Sequence, residues 1–402
     1  MHGGGGITCC STNLFMDIIT DNFIAECGIW GIVLLGVLLV LFLWQLWYYL
    51  VRYGAAKRLN PARKGSDTDK STDPLSFVTA VHDPNYYYVE YVIPAILAQE
   101  YPQYEVILVD LSGDPDFGEA LKLATMRDAR VNVITLAVNP QFPISNKMAL
   151  NVGIKAAKYE NILISTTDIL PPPAGWFAAM GAGFGSADVV LGYSPLETRR
   201  GQWNKMMRMS ETASGMRWVS SAMRGRPYKG TMNNLGLTRS VYFGHNGFNH
   251  LNINIGEEDL FVQYITKDAR TLVVIDKESP VKHKQYGGMG WWTRRRLFWS
   301  NAYRFYTKAS RRYIGTELWT RVLFFTAAVA AMILLTFEAV LASAALVFVR
   351  YIIVAAQSVR VGRSFGERGL LPVAGIYDLF SPFYEAAIGI SRRVKRTPGV
   401  WR

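Results

Sequence analysis

The chain has 402 residues, 50% of them hydrophobic, and a formal net charge of +12. Its mean hydropathy of +0.11 is high for a soluble protein, so the composition predicts two or three structural units with a membrane component. The basic residues cluster beside apolar segments instead of forming a stripe on a soluble domain, which argues against nucleic-acid binding and favours anionic lipid head groups. Cys9, Cys10 and Cys27 have no metal-ligand spacing, which excludes a zinc site and a disulfide framework and leaves free thiols or lipidation.

The first long apolar segment is uncharged and covers residues 29–51. It is long enough to cross a hydrocarbon core of about 30 Å, which takes about 20 helical residues. Residues 1–28 contain no Lys or Arg, so the basic n-region of a cleaved signal peptide is missing and the segment is predicted to remain as an anchor. The basic and polar linker at 52–74 then places the following domain in the cytoplasm and residues 1–28 outside it.

A second apolar region covers residues 318–359 and is long enough to cross twice as a hairpin, with Glu338 near the outer turn. An amphipathic interfacial segment is predicted before it, at 285–317. The apolar stretch at 370–390 contains two prolines and two carboxylates, so residues 360–402 are predicted to form an interfacial or re-entrant element and a basic tail. A fourth crossing is the alternative, but it would place the basic tail outside.

Between these membrane segments, residues 75–284 have the pattern of an α/β domain. Short β-rich runs alternate with helical patterns, which predicts right-handed βαβ units and a mostly parallel sheet. The predicted strands are 77–81, 106–109, 131–136 and 162–165, and the predicted helices include 88–99 and 117–127. Ligands of such sheets bind at the carboxyl ends of the strands.

Polar motifs follow two of these strands. VILVDLSGD at 106–114 ends in a carboxylate-rich turn, and SNKMALN at 145–151 leads through a helix to a strand followed by Thr166, Thr167 and Asp168. Further along lie PYKGTMNNLGLTRSVYFGHNGF at 227–248 and GEEDL at 256–260. In this order and spacing the motifs resemble those of family 2 glycosyltransferases, above all membrane-anchored bacterial members.

The resemblance implies a GT-A fold, with a Rossmann-like cytoplasmic domain between an N-terminal transmembrane helix and a C-terminal transmembrane pair. It also implies a nucleotide-sugar donor. The residues that match the family's donor-binding positions are Asp83, Asp110, Ser112, Asp114, Lys147, Asn151, Thr166 and Asp168. Plain structural roles remain open for several of these residues: a good turn for 110–114, a helix start for Lys147 and a cap or turn for Asp168.

A divalent metal, Mn or Mg, is expected to bridge the donor diphosphate, with Asp168 as its ligand. The family's DxD motif is TTD here, so the first carboxylate is missing and metal dependence is less secure.

By resemblance, Asp259 is the base that takes the acceptor proton, and Glu258 supports it. Other residues are assigned to the acceptor side or to the diphosphate. They are Trp176, Asn233, Asn234, Trp292, Arg295 and Arg296. The last three belong to GWWTRRRLFW at 290–299, where processive relatives carry QxxRW, and two roles stay open for this segment: holding the diphosphate or contacting lipid phosphate.

The predicted function is an inverting glycosyltransferase of the bacterial inner membrane that faces the cytoplasm. It moves a hexose from a nucleotide-diphosphate sugar to a lipid-linked or glycan acceptor in cell-envelope polysaccharide biosynthesis. Two alternatives remain: a processive polysaccharide synthase, disfavoured by the few predicted crossings, and a non-catalytic scaffold that binds nucleotide sugar. The missing DxD carboxylate favours the scaffold, and the retained acidic motifs argue against it.

Overall fold

The computed structural model describes residues 10–54, 73–137, 145–250, 257–334 and 336–394. Side chains at 10–27, 249–250, 257 and 394 are outside this description. In the described chain, seven strands form one sheet in the order β3-β2-β1-β4-β6-β5-β7. The strands are β1 (Leu75–Val81), β2 (Tyr104–Asp110), β3 (Val131–Thr135), β4 (Asn161–Ser165), β5 (Val189–Gly192), β6 (Leu235–Thr238) and β7 (Thr271–Val274).

The four strands predicted from sequence form a parallel block, β3-β2-β1-β4. At its centre Val78 of β1 aligns with Ile107 of β2 and Ile164 of β4. Every residue of β1, β2 and β4 is buried. Strands that are covered on both faces have continuous apolar sequences, and for this reason these strands could be predicted.

The other three strands were not predicted. β6 runs antiparallel to both neighbours, β4 and β5, so the sheet is mixed. It is short and contains Gly236, where a Cβ would come within 2.8 Å of Phe184 and 3.0 Å of Val190. The glycine permits a close approach between layers, but it weakens the strand signal in the sequence.

The helices lie on both faces of the sheet and beyond it. They are α1 (Cys10–Leu46), α2 (Tyr88–Leu97), α3 (Pro115–Thr125), α4 (Asn146–Ala156), α5 (Trp176–Phe184), α6 (Gln202–Ala222), α7 (Arg239–Gly244), α8 (Glu257–Ile265), α9 (Met289–Ser300), α10 (Lys308–Leu334), α11 (Phe337–Ser364) and α12 (Leu371–Val394). A π-helical turn, Trp47–Arg52, extends α1, and short 3₁₀ helices cover Met232–Asn234, Gly247–His250 and Asn301–Phe305.

Alternate residues of the strands feed two cores. Phe77 and Leu108 pack with Trp176 on one face of the sheet. Val78 and Ile107 belong to the larger core on the other face. Each fully buried side chain of this size contributes roughly 1.5–3 kcal/mol relative to an exposed one, so the parallel block is the rigid base on which loops at its carboxyl edge are held.

Three helical segments of the described chain are long and apolar enough to cross a membrane by length and composition: Gly28–Arg52, Lys308–Leu334 and Phe337–Ser364. They overlap the segments predicted to cross the membrane, and Glu338 lies in the first turn of α11. The hairpin arrangement and the outer position of Glu338 stay predictions. The helices extend further than predicted: α10 begins at Lys308, inside the segment assigned to an interfacial element, and α11 continues to Ser364. Charged residues near a membrane boundary do not end a helix. The apolar segment in the sequence therefore locates the central part of the helix and not its ends.

The stretch at 370–390 is one helix, α12, that continues through Pro382. In the described chain it is not among the helices with the composition of a membrane span. Asp378 is buried and the Glu385 side chain is 10% exposed, whereas Ile376 and Phe380 are exposed. The interfacial placement of residues 360–402 stays a prediction.

Several predictions lie outside the described residues. They concern the N-terminal segment at 1–9 with Cys9, the linker at 55–72, residue 256 of the acidic motif and the basic tail from residue 395.

Candidate active site

A cavity of about 1030 Å³ opens at the carboxyl ends of β1 and β4. The turn after β1 contributes Asp83, and the turn after β4 contributes Thr166 and Asp168. Helix α9, which precedes the long apolar helices α10 and α11, contributes Arg295 and Arg296 to the lining. The cavity therefore lies where open α/β sheets bind ligands, between the sheet and the membrane-proximal helices.

The lining carries charges of both signs. Its carboxylates are Asp83, Asp168, Glu211 and Glu258, and its cationic side chains are Lys229, Lys284, Arg294, Arg295 and Arg296. Guanidinium and ammonium groups bind phosphate oxygens, and carboxylates accept hydrogen bonds from hydroxyl groups. The cavity thus suits a ligand that has both phosphate and hydroxyl groups.

The DLSGD turn is built from its own hydrogen bonds. Asp110 is 2% exposed, and its Oδ1 accepts from the backbone N–H of Ser112 at 3.0 Å and from the Ser112 hydroxyl at 2.7 Å. Asp114 caps α3 by accepting from the N–H of Phe117 at 3.1 Å. In the described structure these three side chains do not line the cavity. Their contact with a donor stays a prediction.

Asp168 is exposed at the cavity with one carboxylate oxygen engaged. The Tyr286 hydroxyl donates to its Oδ1 at 2.5 Å, and the Asp168 N–H donates to the Thr166 hydroxyl at 3.3 Å. Burial and the neighbouring carboxylate raise the pKa of Tyr286, so the phenol stays a donor. Oδ2 accepts no hydrogen bond from the described residues and is open to a ligand.

The site can hold a metal ion only if most of its ligands come from water and the substrate, because Asp168 is its single protein ligand. Among the described residues no group of three or more His, Cys, Asp or Glu side chains is arranged to hold an ion. Mg²⁺ sites commonly consist of one or two carboxylates with water and substrate phosphates. Asp168 through Oδ2 fits such a site, in which the diphosphate completes the ligand set.

The paired asparagines after the Thr231 turn face opposite ways. Asn233 lines the cavity, accepts from the Thr166 hydroxyl at 2.9 Å and donates to the Ser194 hydroxyl at 3.1 Å. Asn234 is fully buried and accepts from the indole N–H of Trp176 at 2.9 Å. The structure therefore brings Asn233 to the cavity and places Asn234 and Trp176 in the core beneath it.

The first turn of α4 reaches the cavity through Asn146, but the two predicted residues of this helix do not line it. Lys147 is 8% exposed. Asn151 accepts from the Tyr242 hydroxyl at 3.4 Å, which ties α4 to α7. The helix as a whole is near the cavity, and these two side chains face its packed side.

The two acidic residues at the start of α8 also differ in direction. Glu258 lines the cavity, whereas Asp259 is 2% exposed and lies just behind the wall formed by Lys229 and Gly230. The Tyr306 hydroxyl donates to Asp259 Oδ2. Burial raises the pKa of Asp259, and the opposing effects of Lys229, Tyr306 and the Gly230 N–H offset that only in part.

The basic-aromatic segment forms α9. Arg295 and Arg296 line the cavity, and Arg296 Nη2 lies 3.5 Å from Glu385 Oε1 on α12. Trp292 is 1% exposed and packs with Leu196 and Met207. The arginines thus face the cavity while the tryptophan anchors their helix to the domain.

Among the cavity residues that were not predicted from sequence, three are titratable side chains that interact with one another: Glu211, Lys229 and His283. Burial would raise the pKa of Glu211, but Lys229, His283 and nearby arginines hold it below its usual range. Burial and Arg295 lower the pKa of His283 to about 4, so the ring is neutral, and its Nε2 has no partner among the described residues. Only Lys229 lay in a recognised motif. Glu211 sits on α6, whose sequence gives no local sign of a site.

Neither a protein-family model nor a curated protein matches the sequence. Among solved structures, the mannosyltransferase PcManGT from Pyrobaculum calidifontis, in complex with GDP-Man and Mn²⁺, matches with a TM-score of 0.55 and 15% identity. The match covers 87% of this chain and 99% of that one. TarS 1–349 from S. aureus, also solved with UDP-GlcNAc, matches with a TM-score of 0.40 and 15% identity over 80% of this chain and 92% of that one, a score too low to carry an argument. The chain therefore shares its fold with a solved glycosyltransferase.

Proposed function

We propose that the protein is a membrane-anchored inverting glycosyltransferase of family 2 type, which transfers a hexose from a nucleotide-diphosphate sugar to a lipid-linked or glycan acceptor. The observation that carries this proposal is the cavity at the carboxyl ends of β1 and β4, whose lining has both cationic side chains and carboxylates. Its position in a fold shared with a GDP-mannose-bound enzyme supports a nucleotide sugar as the ligand.

The donor end of the reaction requires neutralisation of a leaving diphosphate. Arg295 and Arg296 of α9 and Lys229 face the cavity and supply positive charge to phosphate oxygens. Asp168 would hold a divalent ion against the same phosphates, and such an ion acts as a Lewis acid that stabilises the departing group. The Mn²⁺ in the mannosyltransferase structure supports this choice of cofactor.

At the acceptor end an alcohol must attack the anomeric carbon. The acceptor oxygen forms the new bond to that carbon, the carbon to phosphate-oxygen bond breaks, and its electron pair leaves on the nucleoside diphosphate. The acceptor proton passes to a base, for which we propose Asp259, because its raised pKa suits a base that works near neutrality. Glu258, on the cavity wall, would bind the acceptor hydroxyls.

The membrane placement is supported by the three helical segments that have the length and composition of membrane spans. It is also supported by the exposed apolar residues of α12, which contacts the cavity helix α9 through Glu385 and Arg296. We place the protein in a bacterial inner membrane with the cavity on the cytoplasmic face, where nucleotide sugars occur. An acceptor in the bilayer would then reach the cavity along α9.

The test is sugar transfer by purified protein in lipid nanodiscs, with UDP, GDP and dTDP sugars and a membrane extract as acceptor. Asp259→Asn should lower turnover by about 100 to 10,000-fold, the usual loss for a general base, while donor binding is retained. Asp268→Asn is the matched control, since this carboxylate is 82% exposed and is outside the cavity.

A non-catalytic scaffold is the rival, because TTD lacks the first carboxylate of DxD and Asp259 does not line the cavity. Donor binding by the unmodified protein, with no turnover for any donor, would favour the scaffold. Long products made without release would instead favour a processive synthase.

A further inference from the structure

The Asp259 carboxylate uses its two oxygens differently. Oδ2 accepts the hydrogen bond of the Tyr306 hydroxyl, and Oδ1 is buried with no hydrogen-bond partner among the described residues. A buried carboxylate oxygen without a partner is costly, so one in a native structure calls for an explanation. The two carboxylate oxygens therefore have different roles to offer: Oδ2 is fixed by a hydrogen bond, and Oδ1 is available to accept a proton.

Tyr306 is docked firmly enough to hold the carboxylate. It follows the 3₁₀ helix Asn301–Phe305 and is 8% exposed. The next residue, Thr307, donates its N–H to Gln263 Oε1 at 3.1 Å. Asp259 and Gln263 are four residues apart on α8 and so lie on one face of that helix, which means that two contacts one turn apart fix this segment against α8.

The other neighbours of Asp259 come from the cavity wall. The Gly230 N–H and the positive charge of Lys229 lie near the carboxylate, and both lower its pKa. Gly230 allows this approach, because a Cβ there would lie 2.8 Å from Val262 on α8. Among the described residues, the titratable groups Glu211, Glu258, Tyr228 and Tyr303 also lie near this pair.

From these contacts we infer that Tyr306 is a positioning residue for sugar transfer: it orients Asp259 through Oδ2 and leaves Oδ1 as the oxygen that takes the acceptor proton. The inference rests on the proposed function only for the identity of the reaction. It assigns a role to the segment between α9 and α10, so the membrane-proximal part of the chain completes the catalytic centre of the α/β domain.

The charge state of the pair agrees with this direction of hydrogen bonding. Burial and the adjacent carboxylate raise the pKa of Tyr306, so the phenol remains a donor at neutral pH. Its hydrogen bond stabilises the ionised form of Asp259 and therefore lowers the pKa of that carboxyl. Removing the hydroxyl should raise the pKa of Asp259, and a base that must be deprotonated would then become active only at higher pH.

The experiment compares the full-length protein in nanodiscs with Tyr306→Phe and with Tyr303→Phe as the matched control. The Tyr303 hydroxyl donates to the backbone carbonyl of Arg311 at 2.8 Å, in the same segment but away from Asp259. Two readouts are taken: the pH dependence of kcat/KM, and titration of the Asp259 carboxyl by difference infrared spectroscopy against Asp259→Asn. Only the first needs turnover.

In Tyr306→Phe, both the acidic limb of the pH profile and the infrared titration should move up by about one pH unit or more, the size expected for a lost hydrogen bond to a charged group. In Tyr303→Phe neither should move. An infrared titration that does not move in Tyr306→Phe would overturn the inference. If it moves but the pH profile does not follow, Asp259 is not the base, and the inference fails while sugar transfer stands. If the unmodified protein transfers no sugar, the proposed function fails instead.

Discussion

Asp168 has one free carboxylate oxygen because Tyr286 occupies the other. A metal shared between this single carboxylate and the diphosphate should be held weakly without donor. We therefore expect Mn²⁺ to bind measurably only when a nucleotide diphosphate is present, and Asp168→Ala to abolish that binding. Titration calorimetry with Mn²⁺, with and without UDP or GDP, measures this directly.

Tyr286→Phe is the companion variant, because it frees Oδ1 of Asp168. It should leave the Mn²⁺ affinity unchanged or increase it, whereas Asp168→Ala should abolish Mn²⁺ binding. Tight Mn²⁺ binding without nucleotide would contradict the single-carboxylate site. Equal nucleotide affinity with and without metal in the unmodified protein would show that the arginines suffice.

The cavity residues that sequence could predict are those that follow a strand or begin a helix at the carboxyl edge of the sheet, such as Asp83, Thr166 and Asp168. Whether a given side chain faces the cavity or the core could not be predicted in the same way. Asn233 and Asn234 are neighbours in a motif, yet one reaches the cavity and the other bonds to Trp176 in the core. A motif marks a segment, and only its backbone geometry decides which side chain faces the ligand.

At the scale of elements, α12 is the helix that links the long apolar helices to the α/β domain. Glu385 accepts from both Nη1 and Nη2 of Arg217 on α6 at 3.0 Å, and Arg217 also lies 3.3 Å from Glu317 on α10. The same Glu385 lies 3.5 Å from the cavity residue Arg296. Arg217 and Glu317 are buried and the Glu385 side chain is 10% exposed, so loss of one partner leaves a largely buried charge without compensation.

Glu385→Ala should destabilise the protein by about 3–5 kcal/mol, the usual cost of breaking a buried ion pair. Tyr384→Phe is the control, because it removes only a 3.0 Å hydrogen bond to Thr293 from the adjacent position. The measurement is unfolding of both variants in detergent, followed by fluorescence. Equal stability of Glu385→Ala and the unmodified protein would mean that Glu317 alone compensates Arg217.

The stabilisation from the Glu385–Arg217 ion pair depends on pH in a direction that can be worked out. Burial would raise the pKa of Glu385, but Arg217, Arg296 and Arg321 lower it to about 2. An unfolded glutamate titrates near pH 4.3, so the stabilisation is complete above that value and is lost as the pH falls toward 2. The stability difference between the unmodified protein and Glu385→Ala should therefore shrink below about pH 4.

Element boundaries show what periodicity can and cannot supply. The parallel strands were predictable because burial on both faces makes them uniformly apolar. β6 was not, since four residues including Gly236 carry no strand signal and its antiparallel pairing with β4 and β5 depends on distant segments. α12 was predicted as apolar but interrupted, and its buried carboxylates make sense only beside the arginines that the fold brings to them.

At the scale of the whole molecule, polar contacts hold the membrane helices together. Arg350 of α11 is 1% exposed, pairs with Asp378 of α12 and donates to Gln45 of α1 at 3.1 Å. Gln45 in turn donates to the Thr320 hydroxyl of α10 at 2.7 Å. Because lipid tails are as apolar as leucine side chains, hydrophobic contact does not drive helices together within a bilayer, and such polar contacts specify their arrangement. The chain is thus one connected structure, from the anchor through α12 to the arginine wall of the cavity.

The orientation of this structure in the membrane is the remaining prediction. Basic residues flank the hairpin on the side of the cavity, namely Arg304, Lys308, Arg311 and Arg312 before it and Arg360, Arg363 and Arg368 after it. The positive-inside rule then places the cavity in the cytoplasm and Glu338 at the outer turn. In a background with the three native cysteines replaced by serine, Glu338→Cys should react with an impermeant maleimide in intact bacterial spheroplasts, and Asp268→Cys only after permeabilisation. Inside-out vesicles should give the reverse pattern. Labelling of Asp268→Cys in intact spheroplasts would place the cavity outside, away from cytoplasmic nucleotide sugars, and would contradict both the orientation and the proposed donor.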